Sequence, residues 1–508
     1  MLSPKRVIQA CVLATGLAGI VAEYSLSTLA SYLLGNTLYQ WALTISVFLF
    51  AMGLGSRVTR FVTRRLAEAF ITAEMALSLV IAVAVPICYT MAGWPEWTEA
   101  TIYSFTLLTG LLIGTEIPLI VRLNSEYEEL SLNLSNVLEK DYIGALLGGL
   151  FFAFVGLPKL GIVYMPLILG AVNFSVAMLF IAVFRHRLNL KVWGPAAGTV
   201  TAAFLLLAIT VQPIVRFAEQ RRFKDVVIYD EQTPYQKIVM TRWHNDIWLY
   251  LDGHEQFSTY DEARYHESLV HPPLLAAEQR RDILILGGGD GLAAREVLKY
   301  PDVEHLTIVE LDPAMTRLAK EHPLLNSANV GALNDPRVEV INTDAHQFIQ
   351  RTDRMWDVIL ADFPDPRAPA LERLYSVEFY RLCRERIRPG GVMATQATSP
   401  IFAKEAFWCI YKTMESAGWQ AAGWHAHVPS LGEWGWVMGG GLDHRALLAR
   451  LAAESKRLPQ TRFLTPEVLR SLFVFSPEDR LELANLRVNA EIRPILNEYY
   501  RKGDWALF

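Results

Sequence analysis

Long apolar segments fill the chain up to about residue 213, and they leave that half few ways to fold. A helix needs about 20 apolar residues to cross the hydrocarbon core of a bilayer. Seven stretches qualify: 7–34, 40–56, 68–92, 100–121, 142–157, 161–184 and 193–213. The first is too long for a signal-peptide core, and no small-residue cleavage site follows it. Turn residues separate the stretches at Gly35-Asn36, Gly93-Trp94-Pro95 and Gly156-Leu157-Pro158. Trp41, Trp94, Trp97 and Trp193 fall near the expected ends, where indoles favour the membrane interface. The pattern predicts an all-α multi-pass membrane bundle over 1–213. Segment 124–141 carries Glu126, Glu128, Glu129, Glu139 and Asp141 and reads as a loop or surface helix.

Glycines recur at helix-packing spacing, Gly110 with Gly114 and Gly144 with Gly148. Close helix approach and the plain abundance of glycine in membrane helices account for them equally. Glu23, Glu74 and Glu116 lie in or near spans, where a charge is costly. They read either as a site for a cationic polyamine or as a bundle pair at Glu23 with span-end residues reaching water. Three basic clusters bear on orientation: Lys5 and Arg6; Arg57, Arg60, Arg64 and Arg65; Arg185, Arg187 and Lys191. The positive-inside rule places all three in the cytoplasm, so seven spans leave the C-terminal half outside. Arg216, Arg221, Arg222 and Lys224 argue the other way. A re-entrant 142–157 or 40–56 segment removes the conflict.

Beyond residue 213 the composition turns globular. Short strands are expected at 225–230, 235–243 and 247–251, forming a small antiparallel domain over 214–260. A helix over 262–275 follows, ended by Pro272-Pro273. Asp282-Ile-Leu-Ile-Leu286 then runs into Gly287-Gly288-Gly289-Asp290-Gly291 and a helix from Leu292. Strand, glycine-rich turn and helix open a doubly wound α/β sheet of Rossmann type, expected over 261–441. A helical extension covers 442–508. Glu310 ends the next strand nineteen residues past Gly291, where an acid is placed to accept both ribose hydroxyls. Asp344-Ala345 and Asp362 follow two further strands. Ligands of open α/β sheets bind at these carboxyl ends.

The frame fits any S-adenosyl ligand, including that of a methyltransferase. Four acids at successive strand ends (Asp290, Glu310, Asp344, Asp362) plus Asp365 make a negative pocket, suited to a sulfonium and an amine. A non-catalytic polyamine sensor or transporter is the reading from another class. The net charge of −5 supplies no basic field for nucleic acid. Cys11, Cys88, Cys383 and Cys409 form no CxxC or metal-type cluster.

At Tyr235-Gln236, Leu251-Asp-Gly253, Asp261-Glu262, Tyr265-His266-Glu267, Gly287–Gly291, Val309-Glu310-Leu311-Asp312, Asp344-Ala345, Asp362-Phe-Pro-Asp365-Pro366 and Leu374-Tyr375-Ser376, the chain resembles the spermidine synthase family. The resemblance covers about 215–440, and the apolar half resembles the multi-pass N-terminal halves of some bacterial members. It implies transfer of the aminopropyl group of decarboxylated S-adenosylmethionine to putrescine or a related diamine, with no cofactor or metal. It implies Asp362 as the base that takes a proton from the attacking amine. Gln236, Gly287, Gly289, Glu310, Asp344, Ala345 and Pro369 fall where the family holds the nucleoside. His266, Asp290, Asp365, Tyr265 and Tyr375 fall where it holds the aminopropyl and polyamine groups. It also implies a homodimer or homotetramer at the inner membrane, with the catalytic domain in the cytoplasm, where the donor is made. Phe363-Pro364 departs from the small polar residues usual between the two aspartates. Pro429 to Gly435 departs from a Pro-Thr-Tyr segment, and Glu433 with Trp434 is the expected replacement in the amine channel.

Overall fold

The computed structural model describes residues 4–505 except 36, 93 and 126–128. Asn36, Gly93, Glu126 and Glu128, used above as punctuation and loop charge, lie outside the described residues. The chain divides into two compact units, Met1–Val227 and Ile228–Phe508.

The first unit is helical: α1 Pro4–Leu34, α2 Thr37–Val58, α3 Leu66–Met91, α4 Pro95–Asn124, α5 Leu130–Phe151, α6 Gly161–Phe184 and α7 Leu190–Arg222. Among the described residues, six helical runs are long and apolar enough to cross a membrane. One of them is a 53-residue run, Leu132–Phe184. It contains α5, a π-helical stretch Phe152–Leu160 and α6, and it breaks at Gly161, whose φ of +68° suits glycine. The 142–157 segment is therefore no short re-entrant piece. It continues a helix that begins at Leu130, so the part of the polar segment described from there on is helical, not loop. Asn133 in this helix is buried and satisfied: Asn124 Nδ2 donates to it at 2.9 Å, and its own Nδ2 donates to the Val121 carbonyl at 2.6 Å.

Glycine spacing marks helix contacts. Gly110 and Gly114 lie against the α2 backbone at Phe48 and Met52, and Gly144 and Gly148 against α1 at Leu13 and Leu17. Glu23, Glu74 and Glu116 are all buried, so Glu74 and Glu116 do not reach water as the span-end reading expected. Glu74 and Glu116 face each other across α3 and α4. One end of the bundle gathers Val7, Phe70, Leu119 and Phe184; the other gathers Leu29, Val85, Ile102 and Val215. The last turn of α7 sits with the last turn of α1. There Tyr32 donates to Glu219 at 2.8 Å and Arg222 lies 4.7 Å over the Tyr32 ring. The chain leaves this bundle at the end opposite to the one where it enters.

The second unit holds two sheets. The smaller has order β1-β2-β3-β4, with β1 Val226–Gln232, β2 Lys237–Trp243, β3 Asp246–Leu251 and β4 His254–Ser258. The fourth strand, absent from the sequence reading, returns through Asp252-Gly253, both at positive φ, an Asp-Gly turn suited to hairpins. The larger sheet has seven strands in the order β10-β11-β9-β8-β5-β6-β7. β5 Asp282–Gly287, β6 His305–Glu310, β7 Val338–Asn342, β8 Trp356–Asp362 and β9 Ile387–Gln396 are parallel. β10 Gln420–Val428 and β11 Gly432–Gly440 pair antiparallel, and β11 joins β9 antiparallel. The expected doubly wound frame is present, with an antiparallel hairpin at one edge. Order 8-5-6-7 reverses direction at β5, which puts the glycine turn at the switch point where such sheets bind ligands.

Helix α8, Glu262–Ala276, runs through Pro272 and Pro273 instead of stopping at them. A proline cannot donate to the carbonyl four residues back. The Trp424 indole N–H supplies that missing donor to the Ser268 carbonyl at 3.0 Å.

Candidate active site

The site is built at the carboxyl edge of the parallel strands. β5 and β8 end side by side, Gly287 opposite Asp362. Gly287 has φ +84°, and a Cβ there would strike the Asp362 backbone carbonyl. A Cβ on Gly289 would meet the Glu310 carboxylate at 2.8 Å. The glycines thus bring the turn between two carboxylates that the sequence reading singled out. The turn then enters α9, Leu292–Leu298, where Asp290 Oδ1 accepts from Leu292 N at 2.7 Å.

Ligand-type atoms of His266, Asp290 and Asp362 all lie within 4.8 Å of one another. Tyr265 donates its hydroxyl to Asp362 Oδ1 at 2.8 Å. Burial raises the Asp362 carboxyl to about 6; the Asp290 charge adds to this, while His266 and the Tyr265 hydrogen bond hold it down. His266 Nδ1 lies 3.1 Å from Glu262 Oε2. Burial alone would lower the imidazole. The hydrogen bond to Glu262 and the charges of Asp290, Glu262 and Asp362 outweigh it and raise the group to about 9. Glu262 also meets Arg295 at 2.8 Å and, despite burial, is held down to about 2 by His266 and Arg295. This partner of His266 was quoted in the sequence only as part of a motif.

Glu310 accepts from the backbone N–H of Asp312 at 2.9 Å, and burial pushes it up to about 7. Gln236 reaches the same corner, donating to Asp312 at 3.1 Å. Asp344 caps the helix Ala345–Arg351 through Gln347 N and bonds Arg373 with its second oxygen, so both oxygens are engaged. Ala345 opens that helix and is buried; Pro369 opens the short helix Pro369–Glu372 and is exposed.

Asp365 is buried and surrounded by donors. Tyr500 OH is 2.9 Å away, Gln396 Nε2 3.3 Å, and the Arg367 guanidinium 3.4 Å. Burial raises its carboxyl, and these three groups oppose the rise. Tyr375 is fully buried, and its hydroxyl donates to the Pro364 carbonyl at 2.9 Å and accepts from Gln396. Gln396, Arg367 and Tyr500 were not anticipated. The first two lie on or beside expected elements, but Tyr500 is 135 residues from Asp365, and spacing carries no such contact.

Trp434 is buried on the face of β11 that carries Trp436, whose ring lies 5.5 Å from Tyr265. Glu433 alternates to the other face and pairs with His425 at 2.5 Å, so the two residues expected together stand on opposite faces of the strand. Asp261 fixes this loop through Ser430 N at 2.6 Å.

The arrangement offers a glycine turn and an acid for a nucleoside beside a nest of carboxylates for cationic groups. Residues 262–446 match the spermine/spermidine synthase domain. The chain is 41% identical over 505 residues to polyamine aminopropyltransferase 2 of Aquifex aeolicus, covering 99% of each. It is 38% identical to the polyamine aminopropyltransferase of Oceanobacillus iheyensis, covering 96% of this chain and 95% of the relative. Polyamine aminopropyltransferase 1 of Streptomyces coelicolor is 40% identical, covering 96% and 92%. The crystal structure of spermidine synthase from Thermotoga maritima aligns with a TM-score of 0.44 at 24% identity, covering 49% of this chain and 85% of that one. Strand-end acids, glycine turn and near-full-length likeness agree, and the chain belongs to the polyamine aminopropyltransferases, the spermine/spermidine synthase family.

Proposed function

We propose that the second unit transfers the aminopropyl group of decarboxylated S-adenosylmethionine to putrescine or a related diamine. The observation that carries this reading is the convergence of His266, Asp290 and Asp362, with Tyr265 on Asp362. The amine lone pair attacks the carbon next to the sulfonium. The carbon–sulfur bond breaks, its electrons stay on sulfur, and neutral methylthioadenosine leaves. The nitrogen's proton passes to Asp362. An amine of pKa near 10 is mostly protonated at neutral pH, and freeing its lone pair costs about 4 kcal/mol. A carboxyl at about 6 is ionised at pH 7 yet is a stronger base than an ordinary aspartate. Holding nitrogen, carbon and sulfur in line supplies much of the remaining acceleration.

Glu310, Gln236 and the Gly287–Gly289 turn hold the nucleoside, joined by Asp344, Ala345 and Pro369 along the same edge. Asp290 binds the donor's ammonium and Asp365 the far ammonium of the acceptor. Tyr265 orients Asp362, and Tyr375 braces the Phe363-Pro364 loop. His266 carries a proton at neutral pH, so it steadies the two carboxylates rather than touching an ammonium itself.

We also propose that the first unit spans the cell membrane, that the catalytic unit faces the cytoplasm where the donor is made, and that the enzyme works as a homodimer or homotetramer. Purified full-length protein, given the decarboxylated donor and a panel of diamines, should release methylthioadenosine and the matching aminopropylated amine, identified by mass spectrometry. Absence of release with every diamine would refute the reading.

A further inference from the structure

The carboxylate assigned to the acceptor's far ammonium already has a cation of its own. Asp365 is 7% exposed. Its Oδ2 accepts from Tyr500 OH at 2.9 Å and lies 3.4 Å from the Arg367 guanidinium; its Oδ1 faces Gln396 at 3.3 Å. Arg367 Nε donates to the Tyr500 hydroxyl at 2.9 Å, closing a three-membered ring of side chains. Tyr500 is held in place independently. It belongs to the C-terminal helix Leu496–Arg501, whose Asn497 donates to the Pro366 carbonyl at 2.8 Å. Trp505 donates to the Tyr500 carbonyl at 2.8 Å and packs its ring 4.7 Å from the phenol. The extension therefore reaches the loop between the two aspartates and seats a hydroxyl on one of them.

A buried carboxylate attracts an ammonium most strongly when nothing else neutralises it. Here one of its oxygens is shared between a guanidinium and a phenol. We propose that Arg367 and Tyr500 are specificity-determining residues that act through Asp365: they partly neutralise it and so weaken the preference for an acceptor with a positively charged far end. Removing the guanidinium takes away this competing cation, leaves the carboxylate to the acceptor's ammonium and sharpens that preference. Removing only the hydroxyl frees a lone pair and does so to a smaller extent.

This inference rests on the aminopropyl-transfer reading, and the test separates the two. Full-length wild type, Arg367→Met and Tyr500→Phe are assayed with a diamine, the monoamine of equal length and the ω-amino acid of equal length. The quantity compared is the kcat/KM ratio of diamine to monoamine. Arg367→Met should raise that ratio by about fivefold or more, chiefly through a lower diamine KM. Tyr500→Phe, which keeps the ring packing against Trp505, should give a smaller rise in the same direction. A ratio unchanged in both variants overturns the proposal. So does a wild type that prefers the amino acid, because Arg367 would then bind substrate directly. If wild type turns over none of the three amines, the aminopropyl-transfer reading fails instead. If Arg367→Met does not fold, Tyr500→Phe decides alone.

Discussion

Asp362, the proposed base, has three neighbours that pull on it in different directions. Burial and Asp290 disfavour its charge, while His266 and Tyr265 favour it. Below about pH 6 it takes up a proton and stops being a base; above that it is ionised. The kcat/KM profile should therefore show an acid limb with an apparent pKa near 6. Tyr265→Phe removes a hydrogen bond made to the charged form and should move that limb to higher pH. A limb that stays in place would mean that another group titrates. Asp362→Asn should cost about a thousandfold or more in kcat while donor binding survives, since base and in-line positioning are both lost. Donor affinity measured by calorimetry checks the second half. The sequence already made Asp362, Asp290 and His266 visible, because strand ends and helix starts locate acids without tertiary knowledge. Glu262 stands four residues before His266 on the expected helix, but Arg295 and Arg462, which also pair with it, come from 33 and 200 residues away and gave no sign.

Among the elements, the glycine turn and helix α8 are the places where local sequence meets tertiary demand. Gly287→Ala forces a Cβ into the Asp362 carbonyl at a φ of +84°, so it should abolish turnover. The loss should extend to donor binding, read by the same calorimetry. Glu267, fully buried in α8, accepts three backbone N–H groups from Arg462, Phe463 and Leu464 at 2.6, 2.9 and 2.9 Å. Glu267→Ala leaves these donors unpaired and should cost about 3 kcal/mol or more in denaturant unfolding. Proteolysis beginning near residue 462 would mark the loosened segment. Periodicity read α8 as ending at its proline pair, because the indole that replaces the lost donor comes from 156 residues away. The hairpin strand β4 was missed although Asp252-Gly253 carries the local turn signal for it.

At the scale of the whole molecule, metal dependence and sidedness are the open measurements. Removing divalent ions with a chelator should leave turnover unchanged; its loss would assign the His266, Asp290 and Asp362 nest to a metal. Sidedness pits two arguments against each other. The helices of the first unit alternate so that the chain exits at the end away from Arg57, Arg60, Arg64 and Arg65. The positive-inside rule would put that arginine-rich end in the cytoplasm, whereas the cytoplasmic catalytic unit proposed above needs the exit there. All four cysteines are buried and free, Cys11, Cys88, Cys383 and Cys409, and burial pushes the thiols of Cys383 and Cys409 up, away from the reactive thiolate. The native chain is thus silent toward a membrane-impermeant maleimide, and a single introduced cysteine becomes a reporter with no background to subtract. Ile492→Cys, at a position 91% exposed, should react only after cells are opened, and Phe61→Cys, 70% exposed, should react in intact cells. The reverse pattern would put the enzyme on the outer face, and a shared pattern would mean an even number of crossings.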